Sequence, residues 1–105
     1  MKEQRYNISF HTPIGMKQGV MFVMFEENHI NGKMELLQQQ VPFSGNIKEN
    51  GDCQIRGYIK SLMRTIEYIA TGKITKNKVF LNLKGGKHTF TISGVASLEK
   101  GGKNI

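Results

Sequence analysis

Apolar and polar residues alternate with a period of two along nearly the whole chain. Tyr6, Ile8 and Phe10 alternate with Asn7, Ser9 and His11. Val79, Leu81 and Leu83 share one parity, and Phe90 and Ile92 alternate with Thr89, Thr91 and Ser93. That period belongs to a pleated strand with one buried face, and helical spacing is scarce. The runs are rich in β-branched and aromatic residues, which suit such a surface. They break at Pro13-Ile14-Gly15, Glu27-Asn28-His29, Asn50-Gly51-Asp52, Lys76-Asn77-Lys78 and Gly85-Gly86, and less sharply near Leu37-Gln38-Gln39 and Ser61-Leu62-Met63. Gly and Asn at such breaks supply the positive φ that tight hairpins need. The pattern predicts about eight strands, over 4–12, 16–26, 29–37, 40–48, 53–61, 64–75, 78–84 and 87–99. Ile59 to Ala70 also fits a short helical face, but Thr65, Tyr68 and Thr71 and the nearby Gly57 and Gly72 favour a strand.

A weak repeat of glycine within strands says how the strands assemble. Gly19, Gly45, Gly72 and Gly94 each sit inside a predicted strand. Phe43-Ser44-Gly45-Asn46-Ile47, Ile55-Arg56-Gly57-Tyr58-Ile59, Ala70-Thr71-Gly72-Lys73-Ile74 and Ile92-Ser93-Gly94-Val95-Ala96 share one apolar-x-Gly-x-apolar frame. Glycine weakens a strand, so its recurrence on the apolar face marks a sheet that bends tightly around itself. All connections are short, so consecutive strands pair as antiparallel neighbours, and closure removes both edges. The expected fold is all-β: a single up-and-down antiparallel meander barrel over residues 1–99, followed by a flexible basic C-terminal tail over 100–105. A sandwich or half-open roll, and an α+β arrangement, are the competing architectures. An interior of this size is either filled by side chains or holds one small ligand.

The hairpin periodicity from Arg5 to about Glu99, the strand-embedded Gly45, Gly57, Gly72 and Gly94, and the turn Thr12-Pro13-Ile14-Gly15 resemble the small bacterial lipocalin-like, or calycin-like, β-barrels. The Gly-x-Trp signature of true lipocalins is missing, since the chain has no Trp. The resemblance implies the barrel architecture and a habit of binding small apolar ligands. It carries over no functional residue.

With 105 residues, the chain builds one domain whose core needs no metal or disulfide. The single cysteine, Cys53, is expected to be a small buried hydrophobe. The residues from Met1 to Ile8 lack the apolar stretch of a signal peptide, and the longest apolar run, Val20 to Phe25, is far too short to span a membrane. A cytoplasmic location is the expectation. The net charge of +7 and pI near 9.7 favour anionic partners of any class. A solvated surface explains the scattered lysines about as well as a binding patch does.

Catalytic and metal chemistry find little support. His11, His29 and His88 lie far apart without a carboxylate or thiol at ligand spacing. Glu26-Glu27 reads as a hairpin tip, and Gly85-Gly86-Lys87 lacks the pattern of a phosphate loop. No catalytic residue, metal or cofactor is expected. Strand parity instead sets Thr12, Arg64 and His88 beside hairpins at one end of the barrel, where the phenols of Tyr6 and Tyr68 could join them. A few polar groups in an apolar cup are the mark of a small-molecule site, and an arginine there would favour a carboxylate or phosphate. Val20 to Phe25 is apolar on both faces, so Met21, Val23 and Phe25, or their even-numbered neighbours, form an expected subunit interface.

The first functional expectation is therefore a non-enzymatic barrel binding a partly apolar, anionic small molecule in its interior. The alternative is an interaction module that homodimerises through strand 16–26. A third reading, nucleic-acid binding by the basic surface, is less favoured. Outward aromatics are few (Tyr58 and Phe80), and no single face of the sequence alternates basic and aromatic residues.

Overall fold

The computed structural model describes residues 2–12, 15–36, 38–60 and 65–97. The chain forms β1 (Lys2–Thr12), β2 (Gly15–Glu26), β3 (His29–Leu36), β4 (Gln39–Ile47), β5 (Asp52–Lys60), β6 (Thr65–Ile74), β7 (Lys78–Gly85) and β8 (His88–Ala96). Each strand pairs antiparallel with the next, and β8 returns to β1 to close the barrel. The closing ladder runs from Tyr6 opposite Ala96 to His11 opposite Thr91. The predicted strands and their order are those observed. The proposed tail, the break at Ser61-Leu62-Met63 and the expected first residue of the sixth strand, Arg64, lie outside the described residues.

The hairpins close where the turn residues stand. Glu27 takes a φ of 57° between Glu26 and His29, which pair with one another. Gly86 takes 61° between Gly85 and His88. Gly85 itself is the last residue of β7, so that turn is Gly86-Lys87. At the β6–β7 connection the Thr75 hydroxyl oxygen accepts from the backbone N–H groups of Asn77 and Lys78. These local contacts fix register, and register sorts the two faces.

The inward parity is the expected one. Tyr6, Ile8, Phe10, Met34, Leu36, Val41, Phe43, Ile55, Tyr68, Ala70, Ile74, Val79, Leu81, Leu83 and Ile92 are buried, and Ile47, Ile59 and Phe90 pack against them. Met21, Val23, Ile30 and Cys53 complete the core. Ile8, Met21, Met34, Ile55, Leu81 and Ile92 are at most 1% exposed, so the middle of the barrel is filled with side chains. The strand glycines sit where this packing is tightest. A methyl group on Gly45 would collide with the carbonyl oxygen of Gln54, and one on Gly72 with that of Phe80. The backbones approach that closely only because the barrel bends there.

Burial takes Met21 and Val23 out of the expected subunit interface and leaves their even-numbered neighbours on the outer face. Met21 and Val23 are fully buried in the core, and Phe25 packs against it from one end. The apolar outer face of β2 is instead Val20, Phe22 and Met24, all half-buried. Phe22 is shielded from within the chain. Phe22 lies in register between Arg5 on β1 and Lys33 on β3. The Arg5 guanidinium is 5.7 Å and the Lys33 ammonium 5.5 Å from the ring centroid. Cations at this distance are attracted to the ring, while their stems cover apolar surface.

Candidate functional site

The hairpin connections of a meander barrel alternate between its two ends. The β1–β2, β3–β4, β5–β6 and β7–β8 connections share one end, called here the mouth. At the mouth, the core gives way to a cavity of about 390 Å³ whose walls are almost entirely apolar. Phe10 enters from β1, Ile59 from β5, Ile66 and Tyr68 from β6, Leu83 from β7 and Phe90 from β8. Strand alternation places them there, since each continues the inward parity of its strand past the filled middle. Phe10 and Phe90 are tilted against one another with centroids 5.4 Å apart, and the His88 ring stacks on Phe90 at 6.0 Å. These three rings form a continuous aromatic wall.

The polar groups divide into several roles. Thr12 lines the cavity, but its hydroxyl donates to the carbonyl oxygen of Gly15 at 2.8 Å and so secures the β1–β2 turn. His88 is exposed at the rim. Tyr68 contributes its ring to the wall, and its hydroxyl turns towards β5, over Gly57. A methyl at position 57 would sit 2.6 Å from that oxygen. The hydroxyl is buried without a hydrogen-bond partner among the described residues. Burial pushes its pKa well above the usual tyrosine range, so it stays protonated.

Thr12, Tyr68 and His88 thus meet as the parity argument expected. Arg64 lies outside the described residues. Tyr6 does not join them. Its side chain points to the opposite end of the barrel, where its hydroxyl donates to the carbonyl oxygen of Thr75. The inward parity of Tyr6 was legible, whereas its lean along the strand is set by packing. Lys17 is the site residue that sequence reasoning missed. It opposes Phe10 in register and lines the mouth. It shares the parity of Met21 and Val23, and that was the available signal.

Among the described residues, no cluster of three His, Cys, Asp or Glu side chains could hold a metal ion. No helix there is long and apolar enough to cross a membrane. Cys53 is a free, buried thiol in the core, and burial together with the charge of Asp52 pushes its pKa from 9.0 up to about 11. A thiol held protonated this way is a poor nucleophile.

Compared with known proteins, the chain matches no described family and no curated protein sequence. It is similar in structure to a de novo designed fluorescence-activating β-barrel, with a TM-score of 0.59 and 10% identity over 90% of this chain and 92% of that one. It is also similar to two redesigned barrels solved bound to DFHBI. For mFAP0 the TM-score is 0.57 at 12% identity, over 90% of this chain and 95% of that one. For mFAP1 it is 0.54 at 11%, over 90% and 92%. Likeness at such low identity establishes a shared fold, so the chain is an eight-stranded up-and-down barrel of the same architecture as these designs.

Proposed function

We propose that this protein is a non-enzymatic barrel that binds a small, largely apolar, anionic molecule in the mouth cavity. The observation that carries the reading is the cup itself: about 390 Å³ of aromatic and aliphatic wall, with Lys17 and His88 among its lining residues. Small-molecule sites have this volume range and this ratio of apolar wall to placed polar groups. The redesigned barrels of the same architecture, solved with DFHBI bound, lend support. The ligand's apolar part would stack on Phe10 and Phe90, and its anionic end would face Lys17 at the rim.

Dodecanoate, dodecanol and dodecyltrimethylammonium, which share a chain and differ in charge, test this by isothermal titration calorimetry. Dodecanoate is expected to bind tightest. Lys17→Gln should lower its affinity about threefold, as for an exposed ion pair, and leave dodecanol unchanged. Phe90→Ala should weaken all three. Absence of saturable binding for every probe would end the reading.

A further inference from the structure

The two halves of the barrel differ sharply in charge. Over residues 1–50, five Lys and Arg face five Asp and Glu, whereas over 51–97 there are eight against two. Apart from the tail, the whole excess therefore lies on the half built from β5 to β8. Tyr58, Ile69, Phe80 and Val95, four of the five large hydrophobic residues that stand exposed among the described residues, lie on that same half. Tyr58 is 52% exposed and Phe80 51%.

Register arranges these groups in rows across the outer face of β5, β6 and β7. Arg56, Ile69 and Lys84 form one row. Gln54, Thr71 and Asn82 form the next, a strip of amides and hydroxyls. Asp52, Lys73 and Phe80 form a third. Neighbouring strands stand roughly 4.8 Å apart and successive rows roughly 7 Å apart, so the face is a broad grid. A groove of about 410 Å³ is lined by Arg56, Tyr58, Ile69 and Lys84 together with Glu67, which stands opposite Tyr58, so two cations face one carboxylate there. The ion pair of Lys73 with Asp52, at 3.7 Å between half-exposed side chains, is worth under about 1 kcal/mol and yields readily to a stronger anion.

We propose that this outer face binds single-stranded nucleic acid, independently of the mouth cavity. Arg56 and Lys84 would hold backbone phosphates. Tyr58 and Phe80 would offer platforms for stacked bases. The amide and hydroxyl row between them suits base edges. Exposed aromatics set among separated cations are how sequence-tolerant single-strand binding is built. An anionic membrane fits less well, because the polar row interrupts the apolar groups. An acidic peptide would leave the aromatic platforms without a role.

The test is fluorescence anisotropy of a labelled short oligodeoxythymidylate over a salt series, with the full chain. Affinity should fall steeply with salt, and Arg56→Gln with Lys84→Gln should flatten the log–log slope by roughly 0.7 per lost phosphate contact. Tyr58→Ala and Phe80→Ala should each weaken binding about tenfold and leave that slope unchanged. All four side chains are exposed, so the variants should keep the parent's circular dichroism. Phe90→Ala, in the mouth, should bind the oligonucleotide like the parent. No binding at low salt would overturn the proposal. So would aromatic variants that bind like the parent, or a preference for polyglutamate or phosphatidylserine vesicles over the oligonucleotide.

Discussion

Tyr68 shows what a single residue contributes on this scaffold. Its ring helps to form the cavity wall, yet its hydroxyl is buried and unpartnered among the described residues. A buried group that has lost water without gaining a partner is costly. Tyr68→Phe should therefore raise the unfolding free energy by about 1 kcal/mol, measured by urea denaturation without ligand. A fall in stability would show that the hydroxyl has a partner after all. Cys53 and Tyr6 predict the response to pH. Burial raises Cys53 from 9.0 to about 11 and Tyr6 from 10.0 to about 12. In this range the folded chain keeps protons that the unfolded chain releases. Their contribution to stability is thus full below about pH 9 and lost as pH rises towards 12. The urea midpoint should decline over that window, and Cys53→Val should remove the part belonging to the thiol, between about pH 9 and 11.

At the scale of the element, the glycines and the outer face of β2 decide how strands pack. Gly72 lies between Cys53 on β5 and Leu81 on β7, and an added methyl would meet the backbone of Phe80. Backbone cannot yield as a flexible side chain can. Gly72→Ala is expected to cost about 3 kcal/mol in urea unfolding, at the upper end for overpacking. A cost near zero would mean that the bend at this position is not what brings the strands so close. On β2 both parities are apolar, but Met21 and Val23 face the core and Phe25 packs against it. Phe22 is covered from either side by Arg5 and Lys33. This intramolecular contact, absent from any reading of β2 alone, shields Phe22 and leaves Val20 and Met24 half-buried beside it.

For the whole molecule, closure is the governing fact. Pairing of β1 with β8 leaves no strand edge for another chain to extend. With Met21 and Val23 in the core and Phe22 shielded by Arg5 and Lys33, sedimentation equilibrium should give a mass near 11.9 kDa at high protein concentration. A stable dimer would point to the exposed side of β5 to β8 as its contact, in competition with the nucleic acid proposed for that face.

Much of this was determined by the order of residues. A period of two, turn residues at regular intervals and glycines on the apolar parity specify strand count, faces and closure, because each acts between chain neighbours or along one strand. The same parity placed Thr12, Tyr68 and His88 at one end. What only the tertiary structure decided depends on neighbours far apart in the chain. Tyr6 leans to the end opposite His88, where its hydroxyl donates a hydrogen bond to the carbonyl oxygen of Thr75, 69 residues away. Lys17 reaches the cavity because it is registered against Phe10. Arg56, Tyr58 and Lys60 alternate along β5, and Lys78 and Phe80 along β7, but the residues of different strands share a face only because antiparallel register lays Arg56, Ile69 and Lys84 side by side. Parity along a strand is a local property of the backbone, whereas the company a side chain keeps across strands exists only once the barrel has closed.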